Sequence, residues 1–203
     1  NVFNKEFINS ELMNHNKVIF LGESGVGKTS IIMRRRNHAF SYDMAPTIGV
    51  GYECIDEKYD EKNVQLYLWD TAGQEQFNSV VPIYCREAKV AVIVASLTDA
   101  SSVKEIDKWN RFCEESEYHP FVIVVINKID ITPDDTLSSA KKELIAKFDT
   151  IFFVSAKSGS GIDELFSFIA QTIYETSIKE HPEVSRTIEL EEPESKRKKK
   201  DCC

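Results

Sequence analysis

Gly22-Glu23-Ser24-Gly25-Val26-Gly27-Lys28-Thr29 follows directly on a short apolar run at 18–21 and leads into a helical pattern at 29–37. The stretch fits G-x-x-x-x-G-K-[ST], a phosphate-binding pattern. Its glycines allow the backbone to curl so that successive N–H groups point inward, and the following helix directs its positive N-terminal end at the same spot. A polyphosphate fits such a cradle, with Lys28 reaching its β- and γ-phosphates and the Thr29 hydroxyl binding Mg²⁺. The competing reading is a glycine-rich turn that happens to contain Lys-Thr. The flanking strand and helix favour the phosphate site.

Outward from this loop, short β-branched or aromatic runs predict strands at 18–21, 64–69, 90–95, 121–126 and 151–154. Helical patterns predict helices at 29–37, 102–117, 138–147 and 162–178 between or after them. Residues 50–59 alternate, and the polar cluster Asp60-Glu61-Lys62-Asn63 turns the chain back into the run at 64–69. The expectation is an α/β fold: a six-stranded, mostly parallel sheet with one antiparallel edge strand and helices on both faces. Leu165, Phe166, Ile169, Ala170 and Ile173 give the last helix its apolar stripe, after the break at Gly159-Ser160-Gly161.

Three further motifs stand in order near the ends of successive expected strands, where open α/β sheets place ligands. Trp69-Asp70-Thr71-Ala72-Gly73-Gln74-Glu75 follows the third strand, Asn127-Lys128-Ile129-Asp130 the fifth, and Ser155-Ala156-Lys157 the sixth. Asp70 is suited to hold Mg²⁺ through its shell, Gly73 to offer an N–H to the terminal phosphate, and Gln74 to orient an attacking water. The Asp130 carboxylate matches the N1–H and exocyclic N2–H₂ of guanine. Adenine in that slot would leave a charged acceptor unpaired, so guanine is the expected base. Alone, Asn-Lys-x-Asp could be a solvated turn; after the phosphate loop and before Ser-Ala-Lys that alternative recedes.

With these motifs in place the sequence resembles the Ras superfamily of small GTPases, and within it the Rab branch, over about 16–178 and in the Cys202-Cys203 pair. Thr47-Ile48-Gly49-Val50, the continuation of the second motif through Gln76-Phe77, and Pro82-Ile83-Tyr84 are Rab-like features outside the nucleotide motifs. The resemblance implies a P-loop NTPase G domain. It assigns nucleotide binding to Glu23, Ser24, Gly25, Val26, Gly27, Lys28, Thr29, Ser30, Phe40, Thr47, Gly73, Asn127, Lys128, Asp130, Ser155, Ala156 and Lys157. Mg²⁺ falls to Thr29, Thr47 and Asp70, and catalysis to Gln74. Phe40 matches the ring that stacks on guanine, a core phenylalanine being the alternative. Tyr52, Trp69 and Tyr84, with Ile48, match the effector surface; three packing aromatics are the competing account.

What the resemblance implies is a GTP/GDP switch. Thr47 and Gly73 are held when the γ-phosphate and Mg²⁺ are present and released on hydrolysis. Unaided turnover is expected to be slow, which implies an exchange factor, an activating protein, effectors, and escort and dissociation-inhibitor proteins. Gly51 and Tyr52 depart from the usual Asp-Phe, Arg34-Arg35-Arg36 from Arg-Phe, and Ser96-Leu97 from Tyr-Asp. None touches the phosphate chemistry. The alternatives from other classes are a membrane scaffold that binds nucleotide with little hydrolysis, and a P-loop ATPase or kinase, against which Asp130 argues.

The chain has 203 residues, 42% hydrophobic and 29% charged, with a formal net charge of −8. That bounds it to one domain with a tail and disfavours a protein that coats nucleic acid. The expected division is a lead at 1–15, the G domain at 16–180 and a flexible tail at 181–203. Acids and bases balance in the tail, so the deficit belongs to the body and lead. Cys54, Cys85 and Cys113 show no metal or disulfide spacing, and no signal or spanning segment is visible, so a reducing compartment is expected. By the resemblance Cys202 and Cys203 are geranylgeranylated, and the run Lys196-Arg197-Lys198-Lys199-Lys200 would add attraction to anionic lipid. Free thiols and a nuclear-import or merely solvated basic run are the alternatives. The expected location is the cytoplasmic face of an intracellular membrane, exchanging with cytosol, and the expected state is monomeric.

Overall fold

The structure is a computed structural model that describes residues 16–42, 45, 47–73 and 84–180. Gln74, the 75–83 segment, the lead 1–15, and the tail with its basic run, Cys202 and Cys203 lie outside the described residues.

The strands are β1 (Lys17–Leu21), β2 (Val50–Tyr59), β3 (Lys62–Thr71), β4 (Val90–Ser96), β5 (Phe121–Asn127) and β6 (Ile151–Phe153). The helices are α1 (Lys28–Asn37), α2 (Ala100–Lys104), α3 (Ile106–Glu114), α4 (Asp134–Lys147) and α5 (Ile162–Glu180), with a 3₁₀ turn at Ile129–Ile131. The sheet runs β2-β3-β1-β4-β5-β6. Only β2 is antiparallel to its neighbour, pairing Val50 with Thr71 through to Tyr59 with Lys62. The hairpin turn is therefore just Asp60-Glu61, with Asp60 at φ +52°. Lys62 and Asn63, expected in the turn, already belong to β3.

Parallel strands are buried on both faces, and each face of β1 belongs to a different core. Val18 and Phe20 face Ile31 and Ile32 of α1 and the stripe of α5. Ile19 and Leu21 face Ile106, Trp109 and Cys113 of α3 and Leu144 of α4. The α5 stripe runs from Ile162 through Leu165, Phe166, Ile169 and Ala170 to Ile173, all buried, as helical spacing requires.

The helix expected at 102–117 is instead two helices. Asp99 caps the first by accepting from the Ser101 N–H at 3.0 Å, and Glu105 interrupts the run. Ser102 accounts for the early start: its hydroxyl accepts from the Ser96 N–H at 2.9 Å and donates to Asp99 O at 2.7 Å, tying the first turn to the end of β4. Likewise α4 begins at Asp134 rather than 138, because Pro133 pre-sets the turn and Asp134 and Asp135 suit the positive helix end. No helix among the described residues is long and apolar enough to cross a membrane.

With β3 on one side of β1 and β4 on the other, the chain emerging from β1 enters the crevice where the connections diverge. That is where the glycine-rich loop lies.

Candidate functional site

Gly22 opens the loop at φ +131°, and a Cβ there would stand 2.1 Å from Val94 O. Only glycine can turn away from β1 this close to β4. The loop closes on Lys28, whose Nζ donates to Gly22 O at 2.8 Å and to Glu23 O at 2.9 Å. Lys28 is buried, and burial pushes its ammonium down to about 8 against the opposing pull of Asp70 and Glu23. Across the loop, a Cβ on Gly73 would come within 2.4 Å of the Glu23 carbonyl carbon and the Ser24 nitrogen. Gly73 therefore lies directly against the phosphate loop.

Three oxygens converge beside Lys28. The Thr29 hydroxyl donates to Asp70 Oδ2 at 2.6 Å and lies 2.7 Å from the Thr47 hydroxyl, which itself donates to Asp70 Oδ2 at 3.1 Å. Asp70 is not beyond its strand, as expected, but within β3, paired with Gly51 and with Phe20. That places a carboxylate in a buried position. Burial raises its pKa against the lowering effect of Thr29, Thr47 and Lys28. Its other oxygen, Oδ1, is buried with no hydrogen-bond partner among the described residues. Two hydroxyls and a carboxylate with an unsatisfied buried oxygen fit a hard divalent cation that completes its shell with phosphate and water, as Mg²⁺ does.

The base side is built from β5, β6 and the loops that follow them. Asn127, the last residue of β5, donates through Nδ2 to Val26 O at 2.9 Å and accepts from the Ala156 N–H at 3.1 Å. One buried amide thus binds the phosphate loop to the 155–157 loop. Asp130 accepts from the Ser155 hydroxyl at 2.6 Å, and Ser155 also accepts from the Ser158 N–H at 3.0 Å. The carboxylate is held by a residue that is itself fully buried.

Most of these groups surround one cleft of about 480 Å³, within the range of small-molecule sites. Of the expected residues, Ser24, Gly25, Gly27, Lys28, Thr29, Ser30, Phe40, Thr47, Gly73, Asn127, Lys128, Asp130, Ala156 and Lys157 form its wall. Glu23, Val26, Asp70 and Ser155 do not line it; Asp70 lies behind Thr29 and Thr47, bonded to both hydroxyls. Val26 packs into the α1–α5 core, Ser155 acts through Asp130, and Glu23 accepts from Trp109 Nε1 at 3.3 Å. Phe40 packs against the core, the alternative weighed for it, and also lines the cleft.

A sequence model of the Ras family matches residues 17–175. The chain belongs to the Ras family. Ras-family proteins are small GTPases that bind GTP or GDP with Mg²⁺ and act as switches through regulators and effectors. For this Ras-family chain, the cleft is the candidate guanine-nucleotide site, and the Thr29–Thr47–Asp70 cluster is the candidate metal end.

Sequence reasoning missed Tyr42, Ser41, Ala45, Thr71 and Ile131 in the cleft wall. Tyr42 is the most conspicuous: 77% exposed, set edge-on to Phe40 with centroids 5.0 Å apart, and 5.7 Å from Lys157 Nζ. A bare aromatic in a polar loop carries no motif signal. Outside the cleft, Tyr52 meets Trp69 edge-on at 5.9 Å and stacks on Tyr67 at 6.3 Å, while Lys17 Nζ lies 4.3 Å from the Trp69 ring centre. Trp69 and Tyr84 both pack against the same core, as the competing account has it. Ile48 is 91% exposed.

Proposed function

We propose that this small GTPase is of the Rab type: a switch that hydrolyses GTP slowly, is accelerated by an activating protein, and recruits effectors to membranes in vesicle traffic. One observation carries the switch. The Ala72 N–H donates to Gly49 O at 2.8 Å, joining the segment of Thr47 to that of Gly73.

Thr47 stands at the metal cluster and Gly73 against the phosphate loop, so both ends of this linkage face the site of the terminal phosphate. Immediately beyond Thr47 is the exposed Ile48, and beyond Gly49 the β2 strand carries Tyr52. A change at the phosphate thus has a short covalent path to an apolar, aromatic surface of the kind partners use as anchors.

In the proposed mechanism Thr29, Thr47 and Asp70 would hold Mg²⁺, which neutralises charge on the phosphates. Lys28 exchanges its two carbonyl partners for phosphate oxygens, and the buried site strengthens that attraction. Gln74, outside the described residues, would orient the attacking water. Asp130, positioned by Ser155, selects guanine. Membrane attachment through lipidated Cys202 and Cys203 belongs to the same proposal. The adjoining basic run supports it, since two lipids, or one with a polybasic patch, give stable anchoring.

Single-turnover hydrolysis with GTP and ATP side by side tests the enzyme. GTP is expected to be consumed slowly, ATP not at all, and Gln74→Leu to trap the GTP form. Hydrolysis by Gln74→Leu at the wild-type rate would overturn the role of Gln74. For the anchor, a Cys202→Ser/Cys203→Ser chain is expected to leave the membrane fraction of cells; continued pelleting with membranes would refute lipidation.

A further inference from the structure

Arg34 lies in the last turn of α1, where a basic side chain ordinarily extends into solvent. Its guanidinium instead serves three backbone carbonyls. Nε donates to Ala156 O at 2.8 Å, Nη2 to Lys157 O, and Nη1 to His38 O at 3.2 Å. These carbonyls belong to two segments far apart in the chain. Ala156 and Lys157 line the base side of the cleft, and His38 stands two residues before Phe40, which lines it from the α1 side.

The surroundings are shaped for this guanidinium. Gly159, at φ +90°, runs alongside the guanidinium, where a Cβ would make ordinary contact at 3.6 Å from Arg34 Nε and 3.7 Å from Cζ. His38, at φ +53°, turns the chain off the helix and brings its carbonyl within reach of the same side chain. The 155–157 loop is then gripped from two sides: Asn127 takes the Ala156 N–H and Arg34 takes the Ala156 carbonyl. The guanidinium meets these three acceptors from three separate nitrogens fixed in one plane, a spread that the single nitrogen of a lysine ammonium does not reproduce.

We propose that Arg34 is a positioning residue for the guanine slot: it sets the spacing between the Phe40 segment and the 156–157 loop, and with it base selectivity and nucleotide residence time. The proposal rests on the guanine-binding reading of the cleft. It adds a residue that itself lines no part of the cleft.

The test uses the full chain and two variants, Arg34→Met, of similar length without donors, and Arg34→Lys, which keeps the charge. Release of a fluorescent GDP is chased with unlabelled GDP, and GDP is competed against IDP, which lacks the exocyclic amine that Asp130 would read. Arg34→Met is expected to release GDP about tenfold faster, the scale of one lost charged hydrogen bond. It should also narrow the GDP:IDP affinity ratio about threefold. The acceleration caused by EDTA should stay at its wild-type value, because the metal end is untouched. Arg34→Lys should fall between the two.

Faster release with an unchanged GDP:IDP ratio would overturn the proposal, reducing Arg34 to general stability, and so would wild-type values for both. If Arg34→Met does not fold, Arg34→Lys carries the test on the same ratio. A wild-type chain with no preference for GDP over IDP would overturn the guanine slot itself, and the proposal with it.

Discussion

The Thr29 hydroxyl lies 2.6 Å from Asp70 Oδ2 although the two residues are 41 positions apart, and the second carboxylate oxygen is buried beside them with no hydrogen-bond partner among the described residues. This pair defines the proposed metal end of the cleft. Asp70→Asn keeps the shape and removes the charge, so it is expected to weaken Mg²⁺ binding by about tenfold or more. The measurement is GDP release with and without EDTA. The variant should release GDP in Mg²⁺ nearly as fast as the wild type does in EDTA, and retention of the full Mg²⁺ effect would remove Asp70 from the metal site.

Lys28 makes the phosphate end sensitive to pH. Its pKa is lowered to about 8 in the nucleotide-free fold, against about 10.4 when unfolded. The unfolded chain therefore binds more protons between these values. By linkage the contribution of Lys28 to nucleotide-free stability is lowest below about pH 8 and rises toward about pH 10. Phosphates favour the charged form, so GDP binding should be pH-independent below about 8 and weaken above it, toward tenfold per pH unit. Calorimetry in buffers of different ionisation enthalpy should detect proton uptake above that pH and little below it. Equal uptake on both sides would contradict the assignment.

Ser155 holds the Asp130 carboxylate, proposed to read the base, without facing the cleft. Ser155→Ala should lower GDP affinity by roughly 1 kcal/mol, about fivefold, the ordinary value of one hydrogen bond. An equilibrium titration measures it directly, and an unchanged affinity would mean that Asp130 needs no such support.

Tyr42 and Lys157 approach each other at the mouth of the cleft from opposite segments. An exposed cation–aromatic contact is worth about 0.5–1 kcal/mol, so Tyr42→Ala should speed nucleotide release about two- to fivefold. Tyr42→Phe, which keeps the ring, should not. Stopped-flow release from both variants settles the point.

Arg35 stands where the Rab pattern has an apolar residue, and the fold answers with charge. Its Nε and Nη2 reach the two oxygens of buried Glu57 at 2.5 and 2.6 Å, and its Nη1 reaches Asp163 at 2.6 Å. Arg35→Met strands a carboxylate that is 3% exposed, which should cost about 3 kcal/mol in denaturant unfolding. Arg35→Met with Glu57→Leu should recover most of that loss. A double variant as unstable as the single one would show that packing, not the stranded charge, was responsible.

The sequence was most legible where chemistry is local. The phosphate loop, Asn127-Lys128-Ile129-Asp130 and Ser155-Ala156-Lys157 are contiguous motifs, and they occupy the cleft region as expected. The antiparallel edge followed from the alternation at 50–59, and the α5 stripe from its helical spacing. Reading failed where a local rule met a distant partner. Ser102 started a helix early by bonding to the end of β4, and Asp70 was drawn into β3 by pairing with β1 and β2.

By itself, then, the sequence determined the class of sheet, the phosphate cradle and the choice of base, because periodicity and motif spacing act over a few residues. Tertiary structure alone decided that Asn127 joins Val26 to Ala156, that Arg34 grips the 156–157 loop, and that Arg35 neutralises Glu57. Such contacts span 101 and 122 positions in the first two cases. Their partners are backbone carbonyls and buried charges whose need for a donor arises only when the sheet has closed over them and water is gone.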